Sequence, residues 1–402
     1  MRVAGLFSGI GGFEEGLRAS GHEAELLCEV DPSAGSVLRN RFPGVPLSEN
    51  ICDLRALPGV DLVTAGFPCQ DLSQAGRTAG IGGSNSALVG ELFRLIDASA
   101  RRPQWVLLEN VPFMLHLNRG RAMSFVLHTL EDLGYRWAYR TMDSRAFGLP
   151  QRRQRIVILA SKSKDPREVL LSRDEGEGKN RRTQNAPCGF YWTEGRTGVG
   201  WAVDSVPPLK GGSAVGIPSP PAIWFPEERY LGTPDIRDAE RLQGFSANWT
   251  RLAETMGSSG RERWRLVGNA VSVPLSKWIG KSLDEPCPFD ADRSYGLRGD
   301  DPWPSAAWGE KKRRFGVDIS PFPVKTRRKG LRRFLNYPTK ALSSRATLGF
   351  LSRALASSLR FQPGFLDDVA HHLEEVSKKG TLVNGPIECS SPTTCKFVEA
   401  AE

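Results

Sequence analysis

Val3-Ala4-Gly5-Leu6-Phe7, followed by Ser8-Gly9-Ile10-Gly11-Gly12, opens the chain with a short apolar run and a glycine-rich turn. The run has the length and continuity of a strand covered on both faces. Phe13 and Leu17 then recur at helical spacing, and Gly21 supplies a stop. Strand, glycine turn and helix make an entry of the nucleotide-binding type, because glycines let backbone approach a ligand where any Cβ would clash. A tight turn without a ligand has the same signature. The dinucleotide fingerprint G-x-G-x-x-G fails, since Glu14 stands where its third glycine belongs, and a nicotinamide enzyme is disfavoured. Glu29 closes the next apolar run about 20 residues beyond the turn, where an acid either grips a ribose hydroxyl pair or sits solvated at a strand end.

Two further runs end in reactive groups. Asp61-Leu62-Val63-Thr64-Ala65-Gly66 leads into Phe67-Pro68-Cys69-Gln70, and Gln104-Trp105-Val106-Leu107-Leu108 leads into Glu109-Asn110-Val111. In open α/β sheets the carboxyl ends of the strands face the ligand crevice, so Cys69 and Glu109 are expected to face one ligand. An isolated cysteine is usually a small buried hydrophobe. Cys69 follows a proline in a turn instead of lying on an apolar face, which favours the chemical reading.

At this point the residues resemble a family. Leu6-Phe7-Ser8-Gly9-Ile10-Gly11-Gly12, strand-end Glu29, Gly66-Phe67-Pro68-Cys69-Gln70-Asp71-Leu72-Ser73, Glu109-Asn110-Val111, Gln151-Arg152-Arg153-Gln154-Arg155, Arg241-Leu242-Gln243-Gly244-Phe245 and Gly268-Asn269-Ala270-Val271 are similar, in order, to the motifs of the DNA (cytosine-5) methyltransferases of prokaryotic restriction-modification type. The resemblance covers roughly residues 1 to 281. It implies a class I methyltransferase (Rossmann-like) doubly wound α/β sheet, S-adenosyl-L-methionine as methyl donor with no metal, double-stranded DNA as substrate, and a flipped cytosine.

Cytosine carbon 5 is too weak a nucleophile to take a methyl group until another nucleophile adds to carbon 6. By the resemblance Cys69 is that nucleophile, acting as thiolate. Glu109 quenches the charge at ring nitrogen 3 as a protonated carboxyl, which calls for a raised pKa. Arg155 contacts oxygen 2 and Arg153 supports the catalytic loop or pocket. A solvated basic turn is the plain alternative for Arg152, Arg153 and Arg155. Phe7, Gly9, Gly11, Glu29, Asn50, Pro68 and Asn269 are carried over as donor contacts. Asn50 departs from the pattern, because the family commonly has an acid there; its amide oxygen can accept the same hydrogen bond, and Asp53 is an alternative acceptor.

At 402 residues the chain accommodates one large and one smaller domain, and its net charge of +9 suits a polyanionic partner without requiring one. The cysteines are Cys28, Cys52, Cys69, Cys188, Cys287, Cys389 and Cys395, odd in number and scattered, so neither a disulfide framework nor a zinc site is suggested. With no signal peptide and no apolar run of bilayer length, a cytoplasmic, DNA-associated monomer without membrane contact is expected.

The expected organisation is a catalytic and donor-binding region over 1–160, a target-recognition domain over 161–231, a return segment over 232–283, and a basic C-terminal extension over 284–402 whose role is open. The Gly/Pro/Arg/Trp-rich composition after Ser161 cannot easily continue the sheet; a flexible insertion is its alternative. Gly268-Asn269-Ala270-Val271 should open a helix that packs beside the first. In the extension, Lys311–Arg314 and Lys325–Arg333 are either DNA-phosphate contacts or solvated faces.

The expected function is methylation of cytosine carbon 5 in a specific duplex site, protecting it from a cognate restriction endonuclease that need not form a stable complex. One alternative is a transfer-RNA cytosine methyltransferase of the same superfamily, whose hallmark Cys-Phe-Thr is absent. The other is a catalytically silent DNA-binding regulator, against which Cys69 and Glu109 argue.

Overall fold

A computed structural model describes residues 1–67, 87–178, 185–211, 220–256, 260–299 and 301–381. The chain begins with β1 (Arg2–Leu6), α1 (Gly12–Arg18), β2 (Glu23–Cys28), α2 (Pro32–Arg41), β3 (Leu47–Ser48) and β4 (Leu62–Ala65). It continues through α3 (Ala87–Ala98), β5 (Trp105–Asn110), α4 (Arg121–Asp132), β6 (Arg136–Asp143), β7 (Gln154–Ser161) and the short α5 (Arg167–Leu170). Then come β8 (Cys188–Phe190), β9 (Ala202–Val203), β10 (Ala222–Phe225), β11 (Tyr230–Thr233), α6 (Ile236–Leu242), α7 (Arg261–Asn269) and α8 (Val273–Asp284). The C-terminal part holds β12 (Ser294–Gly296), β13 (Ala306–Glu310), β14 (Arg313–Val317), α9 (Leu331–Phe334), β15 (Lys340–Ala341), α10 (Ser344–Leu355) and α11 (Phe365–Thr381).

The central sheet has the order β12-β14-β13-β6-β7-β5-β4-β1-β2-β3. Strands β3, β2, β1, β4 and β5 run parallel, and β7 pairs antiparallel with both β5 and β6. The chain moves outward from β1 to β3 and then returns to β4 on the other side of β1. The β1/β4 junction is therefore a topological switch point, where the carboxyl ends of the strands part and leave a ligand crevice. Because β7 is reversed, its first residues lie beside the last residues of β5, with Ile156 opposite Asn110.

Continuous apolar runs such as Trp105–Asn110 are buried along their whole length because helices cover both faces. On one face Val89, Leu92 and Ile96 of α3 and Met123, Val126 and Leu130 of α4 pack on Val63, Val106 and Ile158. On the other, Phe13 and Leu17 of α1 and Leu275 and Ile279 of α8 pack on Val3, Leu62 and Leu107. Helices α1 and α8 approach closely at Gly16, where an added Cβ would stand 2.5 Å from the Val273 carbonyl oxygen and Ser276 Cβ. The sequence pattern has Gly268–Val271 open a helix, but Gly268 and Asn269 instead close α7, and the helix that packs beside α1 is α8, which opens at Val273 after the motif has ended. The break lies at Ala270, which leaves the helical path at φ −68°, ψ 148°, and Ser272 and Pro274 then start the new helix. Gly268 itself is pressed against the Lys210–Gly211 backbone, where a Cβ would meet the Lys210 carbonyl carbon at 2.5 Å.

The second sheet is antiparallel, in the order β15-β11-β10-β8-β9. Its aromatic core joins Phe190, Trp201 and Trp224 to Phe350 of α10 and Phe365 of α11. Ring centroids lie 5.0 Å apart for Phe190–Phe350 and 5.2 Å for Trp224–Phe365. Residues beyond 284 thus serve both sheets: β12–β14 extend the large one through β13 against β6, while β15, α10 and α11 complete the small one.

Candidate active site

The glycine turn leaves β1 with Phe7 at φ 54°, Gly9 at φ 55° and Gly11 at φ 83°, all in the left-handed region. A Cβ added at Gly9 would meet nothing within 4 Å, whereas one at Gly11 would strike the Phe42 ring at 2.5 Å. Gly9 therefore faces open space, and Gly11 is demanded by packing. Glu29 grips this turn: its Oε2 accepts from Gly9 N–H at 2.7 Å and its Oε1 from Asp31 N–H at 2.9 Å. Burial pushes the Glu29 carboxyl above its ordinary pKa range, and the two backbone donors oppose that. Trp249 holds the other side of the turn by donating its indole N–H to the Ile10 carbonyl at 2.9 Å.

Asn50 lies near the β2 end of this crevice as the N-cap of the single turn Ile51–Asp53, with Oδ1 accepting from Cys52 N–H at 3.0 Å. That oxygen can reach a ligand only through its second lone pair. Asn269 is exposed at the end of α7, one turn past Arg265, which pairs with Asp31, the N-cap of α2. An added Cβ at Gly211 would stand 2.8 Å from Asn269 Oδ1, so this side chain borders the connection within the second sheet.

Pro68 and Cys69 lie outside the described residues. The chain leading to them is anchored: Asn110 Nδ2 donates to the Phe67 carbonyl at 3.1 Å, and Asn110 Oδ1 accepts from Val111 N–H at 2.8 Å. Gly66, at the end of β4, has Val271 Cγ2, the Phe7 carbonyl and Glu109 Oε2 within 4.0 Å of an added Cβ. The ends of β1, β4 and β5 and the turn before α8 therefore share one crevice.

Glu109 is buried there, with Oε1 2.9 Å from Arg155 Nε across the β5/β7 pair. Arg155 Nη1 also donates to the Gln154 carbonyl at 2.7 Å. Arg153 is fully buried and donates from Nη2 to the Ala270 carbonyl at 2.9 Å. Desolvation lowers the pKa of both guanidiniums, with Arg153 much further below the usual arginine range.

A buried amide network that sequence reasoning missed ties three motifs together. Gln151 donates to the Leu242 carbonyl at 2.8 Å and to Gln243 Oε1 at 3.2 Å, and accepts from Leu209 N–H at 3.0 Å. Gln243 donates to the Val267 carbonyl at 2.9 Å and accepts from Ser272 Oγ at 3.1 Å. Two glutamines beside arginine-rich and glycine-containing motifs were the available signal; their meeting required the fold.

Glu14, which breaks the dinucleotide fingerprint, is buried under the crevice with Oε1 3.3 Å from Thr64 Oγ1. Its carboxyl fills the space left by Gly5, where a Cβ would approach it to 2.1 Å, and burial pushes its pKa up to about 7. Among the described residues no group of three His, Cys, Asp or Glu could hold a metal, and no helix is long and apolar enough to cross a membrane.

Solved structures share this architecture. The S. pombe Dnmt2 methyltransferase superposes with a TM-score of 0.52 at 17% identity, covering 71% of this chain and 99% of that one. The Entamoeba histolytica methyltransferase EhMeth gives 0.51 at 14% identity, over 71% and 98%. Residues 1–187 match the family described as C-5 cytosine-specific DNA methylase. The Type II methyltransferase M2.BsuMI of Bacillus subtilis (strain 168) is 53% identical over 363 residues, 88% of this chain and 93% of its own length. Type II methyltransferase M.MspI of Moraxella sp is 30% identical over 43% of this chain and 42% of its own. An anchored strand-end acid beside a buried arginine, a glycine turn gripped by a carboxylate, and a relative alike over nearly its full length lead to one conclusion: the chain belongs to the C-5 cytosine-specific DNA methylases.

Proposed function

We propose that this methylase modifies cytosine carbon 5 within a specific duplex sequence and protects that sequence from a restriction endonuclease, with Cys69, Glu109, Arg155 and Arg153 as its catalytic machinery. The observation that carries the assignment of residues is the Glu109–Arg155 pair at the carboxyl end of β5, beside the anchored approach to Cys69. Restriction context rests on the name of the 53% identical Type II relative.

S-adenosyl-L-methionine supplies an electrophilic methyl group. The open space at Gly9 and a Glu29 carboxylate whose oxygens each retain a free lone pair fit a hydroxyl-rich adenosine ligand. Phe7, Gly9, Gly11, Glu29, Asn50, Pro68 and Asn269 would hold it. In the reaction the Cys69 thiolate adds to cytosine carbon 6, forming a carbon–sulfur bond and pushing the ring electrons toward nitrogen 3. Glu109 meets that charge by hydrogen bonding or proton donation. The guanidinium that reaches Glu109 is also the group assigned to cytosine oxygen 2, so Arg155 can contact carboxylate and base from one position. Arg153, locked to the turn before α8, positions Arg155 and the pocket wall. Carbon 5, made nucleophilic by that addition, would take the methyl group as its bond to the donor sulfur breaks with the electron pair left on sulfur. The carbon 5 proton then passes to solvent water, and its electron pair expels Cys69 as thiolate and restores the ring.

We assign 1–160 and 232–283 to chemistry and donor binding and 161–231 to target recognition, with the small sheet as its centre. Bisulfite sequencing of DNA from cells expressing the chain tests the proposal. A single protected sequence context is expected; uniform conversion of cytosine would refute it, and protection without a sequence context would remove the restriction role.

A further inference from the structure

The two basic stretches of the C-terminal extension lie at opposite edges of the central sheet. Strand β13 is antiparallel to β6, with Ala306 opposite Arg140 and Gly309 opposite Trp137. Because β6 ends at the crevice edge, where Asp143 faces Gln154 of β7, the β13–β14 turn at Lys311–Lys312 projects from the far edge. There Arg314 is committed to His128 and stacks over Trp303 at 5.0 Å. Strand β14 returns the chain to the crevice edge. From there it runs past β6, with Asp143 N–H donating to the Pro321 carbonyl at 3.0 Å and Thr326 N–H to the Ala146 carbonyl at 3.0 Å.

Residues 325–330 then form an extended strap from the large sheet to the small one. Arg328 turns inward, donating to the Asp204 carbonyl at 2.6 Å and pairing with its carboxylate at 3.2 Å, and Leu331 N–H reaches Asp204 Oδ1 at 2.7 Å. Lys325, Arg327 and Lys329 are exposed and have no ion-pair partner among the described residues. With Arg328 turned inward, their two-residue spacing would put them on one side of an extended segment roughly 7 Å apart, and the end of Lys325 lies over Gly178. Lys325 and Arg327 also line a cleft of about 240 Å³ beside Ala146 and Gly176. The acids that approach the strap are already committed: Asp204 to Arg328, Glu177 to Arg145 at 2.8 Å, and Glu228 to Arg332.

We infer that Lys325, Arg327 and Lys329 form a phosphate-binding strap that holds the backbone of the substrate duplex across the gap between the two sheets, and that the Lys311–Arg314 hairpin takes no part. This rests on the proposed function, in which a cytosine of the duplex enters the crevice at the ends of β4 and β5. Three cations with no ion-pair partner among the described residues, carried on an anchored backbone, neutralise phosphates without reading bases, so they add affinity and salt dependence but no sequence information.

The test compares full-length wild type, the triple variant Lys325→Gln/Arg327→Gln/Lys329→Gln, and the hairpin variant Lys311→Gln/Lys312→Gln. Binding to a fluorescent mixed-sequence duplex is followed by anisotropy from 50 to 300 mM KCl, with donor binding measured alongside as a check on folding. The strap variant should lose about 0.9 in the slope of log K against log salt for each contact removed, between 2 and 3 in all, while the hairpin variant keeps the wild-type slope. An unchanged slope in the strap variant, or an equal loss in the hairpin variant, would overturn the inference. Single Arg327→Gln, expected to lose about 0.9, decides the matter if the triple variant fails to bind donor. Wild-type protein that binds DNA but methylates none of it counts against the catalytic reading alone.

Discussion

Arg155 Nε stands 2.9 Å from Glu109 Oε1, and the two side chains retain only 14% and 10% of their exposure. A buried pair of this kind is held because removing one partner leaves an uncompensated charge, at a cost of about 3–5 kcal/mol. Its position at the end of β5, where the sheet opens, places both groups at the crevice that the proposed reaction would use.

Glu109→Gln keeps the shape and a hydrogen-bond donor but cannot deliver a proton. Single-turnover methyl transfer should fall by about 10²-fold or more, with duplex affinity changed far less. A variant with the full transfer rate and greatly weakened donor binding would place Glu109 against the wrong ligand.

Cys69→Ser replaces a thiolate with an alcohol that is far less nucleophilic at neutral pH. Tritium transfer from labelled donor to DNA should vanish while donor binding persists. Wild-type enzyme should also form a denaturation-resistant adduct with duplex containing 5-fluorocytosine. Undiminished turnover by the serine variant, or no adduct, would rule out covalent addition.

The large sheet was legible because its parallel strands are unbroken apolar runs with a glycine or an acid at their ends, as in Val3–Phe7 and Trp105–Glu109. Strand β14, Arg313-Arg314-Phe315-Gly316-Val317, carries charge and glycine, and the sheet it joins is reached only through β13 beside β6. Its pattern could not announce that pairing. The small sheet was illegible for a related reason: the core around Phe190 is closed by Phe350 and Phe365 from the far end of the chain. In the site, strand-end acids could be read locally. The Asn110 clamp on Phe67 and the burial of Glu14 beneath Gly5 depend on neighbours brought together by the sheet.

The Gln151–Gln243 network makes a stability prediction. Gln243→Leu would remove three buried hydrogen bonds, to the Val267 carbonyl, Gln151 and Ser272, each contributing roughly 0.5–1.5 kcal/mol, although these groups keep Ala270 N–H, the Leu242 carbonyl and Ser144 Oγ as partners. Urea denaturation should show a loss of at least about 2 kcal/mol, with transfer activity reduced because the turn carrying Ala270 loosens. Unchanged stability would mean that water or a shifted backbone replaces the amide.

Glu14 gives the chain a pH-dependent term. Burial raises its pKa from 4.5 to about 7, so the folded protein holds this proton more tightly than the unfolded chain. The associated stability is fully present below about pH 4.5 and is lost as pH rises through about 7, a swing of about 3 kcal/mol. Glu14→Gln keeps the shape and removes the titration. Unfolding free energies of wild type and variant, measured in urea from pH 5 to pH 8, cancel every other group in their difference. That difference should move in favour of the variant as pH rises, and most of the change should fall between pH 5 and 7.5. A flat difference would show that the Glu14 carboxylate stays ionised beneath the glycine turn and finds in Ser8, Thr64 and the local backbone all the hydrogen bonds its charge requires.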